Sequence, residues 1–474
     1  MVKVRRHRWP EGSVLYRAVA SGLEEFLRLG YASGVATWFI EKAYREYLNC
    51  GIPERGGSVI VECQDCGHRE KVPRSCRRRG VCHWCMIRIM KAEAAELVEK
   101  VLPVATYRHV IVSYPFWLNK KLGFNPELLS RVERIVTEVL TKWAADRCNG
   151  RGGGMLVRHR AREDLEMGIH DHVLLLDVGF TWVPEATNTA TGEVEVWKAR
   201  ETQQEDIDAL AARLWKRIER FLAGRGITND PKKSANKDEP REPAMEQQEL
   251  FAKHAGTKDH RGGAAVGPTE EDEVEEPKDG MWARVAGLHV YVSPPIDGAD
   301  RSNLEWLCRY LLRPPFSLGR LGQREDGKLT YRLKRKDKAG NTVLVLTPLE
   351  LMMRLASLIP GPRQRLRKLF GILAPRSPGR KKVMPKPSDD KCRHAAPDAK
   401  QSAQERPKGP DLAKLLGNIP TDELLKCPRC LGRMTVIHRL VFPSGEQCGT
   451  EAIDREKRAR GPPEKDAASA QPAA

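Results

Sequence analysis

The sequence predicts an α+β protein in which helices flank an antiparallel sheet. Several long segments place apolar residues three or four positions apart, as amphipathic helices do. Shorter segments are apolar, alternating runs rich in β-branched and aromatic residues, as in strands. The strand-like segments occur as hairpin-like pairs and not as regular βαβ units. We therefore expect N-terminal helices, then a cysteine-rich module, then an antiparallel sheet with helices beside it.

The helical periodicity predicts seven helices, at residues 14–29, 36–48, 86–102, 127–147, 206–223, 303–312 and 349–359. Alternating or continuous apolar runs predict single strands at residues 107–114, 151–160, 170–182 and 282–293. A hairpin is predicted over residues 328–347, where two β-prone runs flank a polar turn that contains Gly340.

Composition divides the chain into folded units and linkers. Residues 1–103 are predicted to form a helical and cysteine-rich domain, and residues 104–224 and 281–375 a second domain that contains the sheet. Residues 225–280 are rich in proline and charge and poor in large apolar side chains, which predicts a disordered insertion. Residues 376–474 are predicted to be a basic, flexible tail with one CxxC motif.

The charge balance favours a nucleic-acid partner. The 474 residues include 81 lysines and arginines against 63 acidic residues, for a net charge of +18 and an isoelectric point near 9.4. Excess positive charge suits a phosphate backbone, because neutralised phosphates release condensed counterions. No apolar run is long enough to cross a membrane and no secretory signal is visible, so we expect a cytoplasmic, nucleoid-associated protein of a bacterial-type cell.

Two CxxC motifs predict a zinc site near the N-terminus. Cys63 and Cys66 form one, Cys82 and Cys85 the other, and fifteen residues separate them. In this paired-knuckle pattern each motif supplies two thiolates of a tetrahedral site, and four protein ligands leave no open position, so the zinc is expected to be structural. The intervening stretch RSCRRRG would offset the thiolate charge. Substitute ligands in the same window are His68, Cys76 and His83.

The remaining cysteines carry weaker signals. Cys427 and Cys430 form a lone CxxC motif that is equally consistent with a metal site, completed by His438 or Cys448, and with ordinary thiols. The other cysteines have no ligand spacing and are expected to be structural thiols: Cys50, Cys148, Cys308 and Cys392.

His170 and His172 open a strand-like apolar run. Residues i and i+2 of a strand face the same side of a sheet, so both imidazoles can reach one metal ion. Two neutral imidazoles suit Mn²⁺, Zn²⁺ or Ni²⁺ better than Mg²⁺, although a phosphate substrate and water would complete the shell of a hard ion. By itself the pattern is more often two ordinary histidines.

Tyr310 lies in the segment LCRYLLRPP between Arg309 and Arg313. A tyrosine hydroxyl needs a cationic or metal-bound environment to attack phosphorus, and arginines neutralise phosphate oxygens in the transition state. The alternative is a tyrosine on the apolar face of a helix with solvated arginines beside it.

In order along the chain, these segments resemble the single-tyrosine, rolling-circle (HUH-type) insertion-sequence transposases that carry an N-terminal transposase zinc-binding domain. The resemblance covers the cysteine-rich blocks YREYLNCGIPERG, CQDCGH and SCRRRGVCHWC, the strand IHDHVLLLD and the tyrosine helix LEWLCRYLLRPP. It continues through the stretch from Leu333 to Pro375 and ends with the knuckle CPRCLGRM. Trp306 stands where two-tyrosine members carry the second tyrosine, so the single-tyrosine branch is the closer match.

The resemblance implies metal-dependent nicking and strand transfer of single-stranded or hairpin DNA at element ends. His170 and His172 would bind the catalytic Mg²⁺ or Mn²⁺, and Tyr310 would attack to leave a 5′-phosphotyrosine and a free 3′-OH. Arg309 and Arg313 would assist. A replication initiator with the same chemistry would carry the same residues.

Three positions depart from the family pattern. Asp171 replaces the usual hydrophobic residue between the histidines, His159 replaces a polar glutamine, and Phe370 replaces a histidine that precedes a glycine. If that histidine is the third ligand, His159 or Asp171 has to substitute, although Asp171 points to the opposite face of the strand. The alternative function is a catalytically decayed transposase that acts as a zinc-dependent DNA-binding protein.

Overall fold

A computed structural model of the chain describes residues 3–4, 10–182, 194–228, 280–334, 336, 340–362, 364–385, 427–432 and 434–441. Most of the predicted insertion at residues 225–280 and most of the predicted tail at residues 376–474 lie outside the described residues. Cys392 and Cys448 lie outside them as well. In the described part, no helix has the length and apolar character needed to cross a membrane.

The described α-helices include all seven that the periodicity predicts. They are α1 (Val14–Ala32), α2 (Trp38–Leu48), α3 (Pro53–Gly56), α4 (His83–Lys100), α5 (Phe116–Phe124), α6 (Pro126–Cys148), α7 (Gln204–Ala223), α8 (Arg301–Leu311), α9 (Pro348–Leu358) and α10 (Arg380–Val383). Side-chain caps fix several of these starts. Ser13 caps α1 by accepting from the Tyr16 amide, and Thr347 and Glu350 form a capping box at α9.

The described strands form four sheets, and all but one of the pairings between these strands are antiparallel. They are β1 (Lys3–Val4), β2 (Ser58–Cys63), β3 (Arg69–Pro73), β4 (Thr106–Ser113), β5 (Gly153–Ala161), β6 (Met167–Leu176), β7 (Val178–Trp182), β8 (Val194–Lys198), β9 (Met281–Val285), β10 (Leu288–Val292), β11 (Ile296–Asp297), β12 (Leu321–Gln323), β13 (Leu329–Arg332), β14 (Val343–Leu346), β15 (Arg367–Gly371) and β16 (Met434–Val441). The exception is β1, which pairs parallel with β3. The predicted α+β class is confirmed.

The central sheet has the order β15-β5-β6-β4-β10-β9, with β11 also paired to β4. Helices cover both of its faces. One face packs on α5, α6 and α7 through aliphatic residues such as Val173 of β6 and Leu140 of α6. The other face packs on α4 and α8, where Leu174 of β6 meets Leu304 of α8. Because side chains alternate along a strand, β4, β5, β6 and β15 each contribute to two separate cores.

The N-terminal helices share a core with distant parts of the chain. Buried side chains of α1 and α2 pack with α9 and with the small sheet β12-β13-β14. Tyr44 of α2 is fully buried and donates a hydrogen bond to the carbonyl of Met352 in α9. Burying a tyrosine with its hydroxyl satisfied makes this contact favourable.

Two single-strand predictions were wrong. Residues 282–293 form a hairpin of β9 and β10, because Ala286 and Gly287 both adopt positive φ values, 51° and 83°, which make the tight turn. Residues 170–182 divide at Asp177 into β6 and β7, and β7 leaves the central sheet to pair with β8. The buried ion pairs of Asp177 with Arg108 and Arg147 lie at this division.

The run Gly152–Gly154 allows the sheet edge to pack closely. A Cβ atom on Gly153 would lie 2.5 Å from the Phe370 carbonyl oxygen and 2.7 Å from the Ile372 nitrogen, both backbone atoms of β15 and its exit. A Cβ atom on Gly154 would lie 2.5 Å from the Leu174 carbonyl oxygen. Neither contact can be relieved by a side-chain rotation.

Gly153→Ala is therefore expected to destabilise the protein by about 1–3 kcal/mol, since the backbones of β5 and β15 must separate. Urea denaturation would measure it. Gly12→Ala is the matched control, because a Cβ atom there has nothing within 4 Å. Equal midpoints for the two variants would contradict the packing role of Gly153.

Candidate functional site

Three histidines converge on the face of the central sheet that α8 covers. His159 of β5 lies directly opposite His170 of β6 in the strand register, and His172 follows two residues later on the same face. One nitrogen of each imidazole lies within 4.8 Å of the others. His159 thus joins the predicted ligand pair of His170 and His172. It is one of the two residues that the sequence offers as a possible third ligand.

Each imidazole is held by a hydrogen bond at one of its ring nitrogens. His159 Nε2 donates to the Leu311 carbonyl at 2.7 Å, and His170 Nδ1 donates to the Gly168 carbonyl at 2.9 Å. His172 Nδ1 and His109 Nε2 share a hydrogen bond of 2.9 Å. Such partners fix the tautomer and the orientation of metal-binding histidines.

His172 Nε2 is a buried atom with no hydrogen-bond partner. An unsatisfied buried nitrogen is costly, and a metal ion would satisfy it. Burial is the main reason that the pKa of His172 lies well below its usual value. Electrostatic repulsion from His159 and the other neighbouring cationic side chains is the next cause. Burial likewise lowers the pKa of His159, with Arg313 as the next cause. At neutral pH both rings are therefore in the neutral form that ligates metals. The donor set fits a divalent ion.

Tyr310 of α8 packs directly on this cluster. Its ring centroid lies 5.9 Å from that of His172 and 6.1 Å from that of His109, both edge to face, and its side chain is 8% exposed. Trp306, one turn earlier, stacks on its other side at 6.1 Å. Because the Leu311 carbonyl holds His159, the helix that carries the tyrosine also orients a candidate ligand.

The two predicted arginines lie in different places. The guanidinium of Arg313 lies over the Tyr310 ring, 3.9 Å from its centroid, and its charge helps to lower the pKa of His109 to about 4, a shift caused first by burial. Arg309 points outward and pairs with Glu305 on the exposed side of α8. The structure brings Arg313 to the cluster and does not bring Arg309 there.

Asp171 lies on the opposite face of β6, as strand alternation predicts, and takes no part in the histidine cluster. Arg158, its neighbour across the strands, donates to both of its carboxylate oxygens at 2.8 and 2.9 Å. Tyr114 donates a further short hydrogen bond to it, and Glu133 accepts from Arg158 at 2.9 Å. Phe370 also faces this side, in the core with α6. Asp171 is therefore excluded as a substitute ligand.

The four predicted zinc cysteines do not form one site. Cys82 and Cys85 cluster with Cys50 and Cys76, with sulfur–sulfur distances of 3.6 Å for Cys50–Cys85, 3.7 Å for Cys76–Cys85 and 3.8 Å for Cys82–Cys50. Cys63 and Cys66 cluster with Cys427 and Cys430. The prediction of a single site was wrong because spacing identifies a knuckle but not its spatial partner.

Sequence reasoning missed His109 and Cys50. His109 is in the predicted strand YRHVIVSY, two positions from Ile111 on the cluster face, and strand alternation was the only signal for it. Cys50 follows α2 and lies next to the start of α4 only in the folded chain. Cys76 was considered only as a substitute ligand.

Comparison with protein families gives two matches. Residues 153–381 match the model of the family described as "Putative transposase", and residues 23–114 match the model of the "Transposase zinc-binding domain". The first range contains all three clustered histidines and Tyr310, and the second contains the Cys50, Cys76, Cys82 and Cys85 cluster. No curated protein and no solved structure matches the chain.

These matches support a DNA-processing enzyme with a zinc-binding module as the class of the protein. More particularly, the match of one stretch to a transposase model and of another to a transposase zinc-binding model supports a transposase function and DNA as the partner. The zinc-binding match and the cysteine clusters together support structural zinc.

Asp171→Ala is expected to cost about 3 kcal/mol of unfolding free energy, because the Arg158 guanidinium stays buried with only Glu133 to balance it. Glu138→Ala is the control. It breaks a half-exposed surface pair with Arg217 and should cost less than about 1 kcal/mol. Chemical denaturation of both variants compares them, and a loss at Asp171 as small as that at Glu138 would refute the buried-pair account.

Proposed function

We propose that the protein is an HUH-type transposase that nicks single-stranded DNA at element ends and joins it to Tyr310 through a 5′-phosphotyrosine. The observation that supports this most is that three oriented imidazoles and the Tyr310 ring pack together on one face of the sheet. A metal site beside a buried tyrosine and an arginine is the set of groups that phosphodiester attack by tyrosine requires.

His159, His170 and His172 are the proposed ligands of the divalent ion. When bound, the ion would act as a Lewis acid on an oxygen of the scissile phosphate. Three nitrogen donors favour Mn²⁺ over Mg²⁺, because Mg²⁺ prefers oxygen ligands. His109 is a positioning residue: its hydrogen bond to His172 Nδ1 directs His172 Nε2 toward the shared site.

Tyr310 supplies the nucleophile. Its hydroxyl oxygen attacks phosphorus, the new O–P bond forms as the P–O3′ bond breaks, the tyrosine proton is lost and the departing 3′ oxygen takes up a proton to leave a 3′-OH. Arg313, stacked over the Tyr310 ring, is the proposed guanidinium for the phosphate oxygens. Packing by Trp306 and His172 restricts the ring to a narrow range of orientations, which favours a productive geometry.

The substitution of Phe370 for the family histidine does not remove the metal site under this proposal. His159 reaches the pair from β5, and Phe370 serves the aliphatic core on the other face. The alternative function, a decayed transposase that only binds DNA, is therefore favoured only if the tyrosine adduct fails to form.

The cysteine cluster of Cys50, Cys76, Cys82 and Cys85 is proposed to hold structural zinc. The cluster connects the end of α2 to the start of α4, and it lies in the same hydrophobic core as the buried side chains of α9. Amide groups donate to its sulfurs, from Cys76 to Cys50 Sγ at 3.2 Å and from Arg78 to Cys76 Sγ at 3.4 Å. These bonds offset thiolate charge.

Tyr310→Phe should abolish covalent attachment to DNA and leave DNA binding unchanged, because the ring and its packing remain and only the hydroxyl is lost. Single-stranded DNA from an element end, incubated with Mn²⁺ and resolved on a denaturing gel, would show the heat-stable adduct. Tyr31→Phe is the control, since Tyr31 is an exposed residue of α1 that contacts Glu41. An adduct that persists in the Tyr310 variant would assign the nucleophile elsewhere. No adduct in the wild type despite DNA binding would favour the decayed transposase.

His109→Ala is expected to weaken Mn²⁺ binding about 10- to 100-fold while adduct formation recovers at saturating Mn²⁺, as for other residues that orient a ligand. His172→Ala should not recover. Zinc-loaded protein titrated with Mn²⁺, followed by the electron paramagnetic resonance signal of the free ion, measures the affinity. His289→Ala, on β10 of the same sheet and outside the cluster, is the matched control. Wild-type affinity in the His109 variant would disprove the positioning role.

A further inference from the structure

Cys63, Cys66, Cys427 and Cys430 come from opposite ends of the chain and meet at the edge of the small sheet β1-β3-β2-β16. We propose that these four cysteines bind a second zinc ion, which fastens the C-terminal strand β16 to β2 of the N-terminal ribbon. This site is separate from the Cys50 cluster and from the proposed catalytic site, and it does not rest on the proposed function.

The sulfur positions suit a tetrahedral thiolate site. Cys63 Sγ lies 3.5 Å from Cys430 Sγ, and Cys66 Sγ lies 3.6 Å from Cys427 Sγ, with all four within 4.8 Å of one another. Zinc–sulfur bonds of about 2.3 Å at tetrahedral angles separate two sulfurs by about 3.8 Å. A disulfide would require about 2.05 Å. Each short contact joins one cysteine of the N-terminal pair to one of the C-terminal pair.

The two CxxC segments adopt the same turn. In the first, the Cys63 amide donates to the His68 carbonyl and the Gly67 amide donates to the Cys63 carbonyl, at 2.9 and 3.1 Å. In the second, the Cys427 amide donates to the Gly432 carbonyl and the Leu431 amide to the Cys427 carbonyl, at 2.8 and 2.9 Å.

The backbone conformation repeats as well. The residue after the second cysteine has a positive φ in both turns, 67° at Gly67 and 61° at Leu431. A leucine rarely adopts this conformation, and here its side chain is 75% exposed, so packing does not explain it. A metal held by both thiolates of the knuckle would stabilise this local geometry. The Arg429 amide also points at Cys427 Sγ, at 3.4 Å.

Apolar packing at this sheet is small. Its buried cluster among the described residues is Val59, Val61, Cys63, Val72, Cys427 and Met434, and two of these are proposed ligands. Ribbons with so few apolar residues usually depend on a metal or a disulfide for stability. β16 pairs antiparallel with β2, with Met434 opposite Cys63, so the metal site lies at the start of this pairing. Without the ion, β2 would become an unpaired sheet edge.

Zinc content and hydrogen exchange test the proposal on the full-length protein. The wild type should hold two zinc ions per chain by atomic emission. The double variant Cys427→Ser/Cys430→Ser should hold one, with faster amide exchange confined to β2 (Ser58–Cys63) and β16 (Met434–Val441) and unchanged exchange in the central sheet. The control is Cys148→Ser, because Cys148 is buried and outside both clusters, and it should keep two ions.

The alternative results are distinguishable. Equal zinc content in the wild type and the double variant would overturn the proposal. A wild type purified with a Cys63–Cys430 or Cys66–Cys427 disulfide and one zinc would also overturn it, and mass spectrometry under non-reducing conditions would detect that bond. Loss of central-sheet protection in the double variant would mean global unfolding. In that case Co²⁺ reconstitution of the wild type decides: one tetrathiolate Co²⁺ per chain rejects the site and two support it.

Discussion

The alternation of side chains along β6 determines how the site is built. His170 and His172 point to the face that α8 covers, whereas Asp171 between them points to the face that α6 covers. The carboxylate is balanced there by Arg158, which enters from the adjacent strand at the same register position. One strand can therefore present two imidazoles to a candidate metal ion on one face and bury a carboxylate on the other face. The carboxylate does not interfere with the imidazoles.

The same geometry connects the candidate nucleophile to the candidate ligands. α8 packs its apolar side on the sheet, so Tyr310 lies against His172 and the carbonyl of Leu311 reaches His159. A change in the position of α8 would move the tyrosine and a histidine together. This mutual dependence is a form of preorganisation, because the hydroxyl and the ligands are positioned by one packed interface and not by separate loops.

The fold class, the seven helices and the residue types of the site could be predicted from the sequence, since period and spacing are local properties. The partners of those residues could not. His159 joins His170 through the register of β5 and β6, and the two CxxC motifs separate because Cys50 and Cys76 pair with one and the C-terminal knuckle with the other. The hairpin at residues 282–293 was missed because Ala286 gives no signal of its positive φ. Tyr310 was singled out largely through the family resemblance, since its helix alone does not distinguish a nucleophile from a core residue.

The cysteine clusters have different surroundings, and this implies different roles for the zinc ions proposed there. Cys50, Cys82 and Cys85 are buried in the core that joins α1 and α2 to α9, so a zinc ion there would be part of the packing that connects the N-terminal domain to the strands and helix following α8. Cys66 and Cys430 are exposed at a thin ribbon, where little apolar surface would remain if the ion left. Metal loss at the first cluster would therefore disturb the helices that support the transposase domain. Loss at the second would release one strand and leave the histidine cluster and Tyr310 in place.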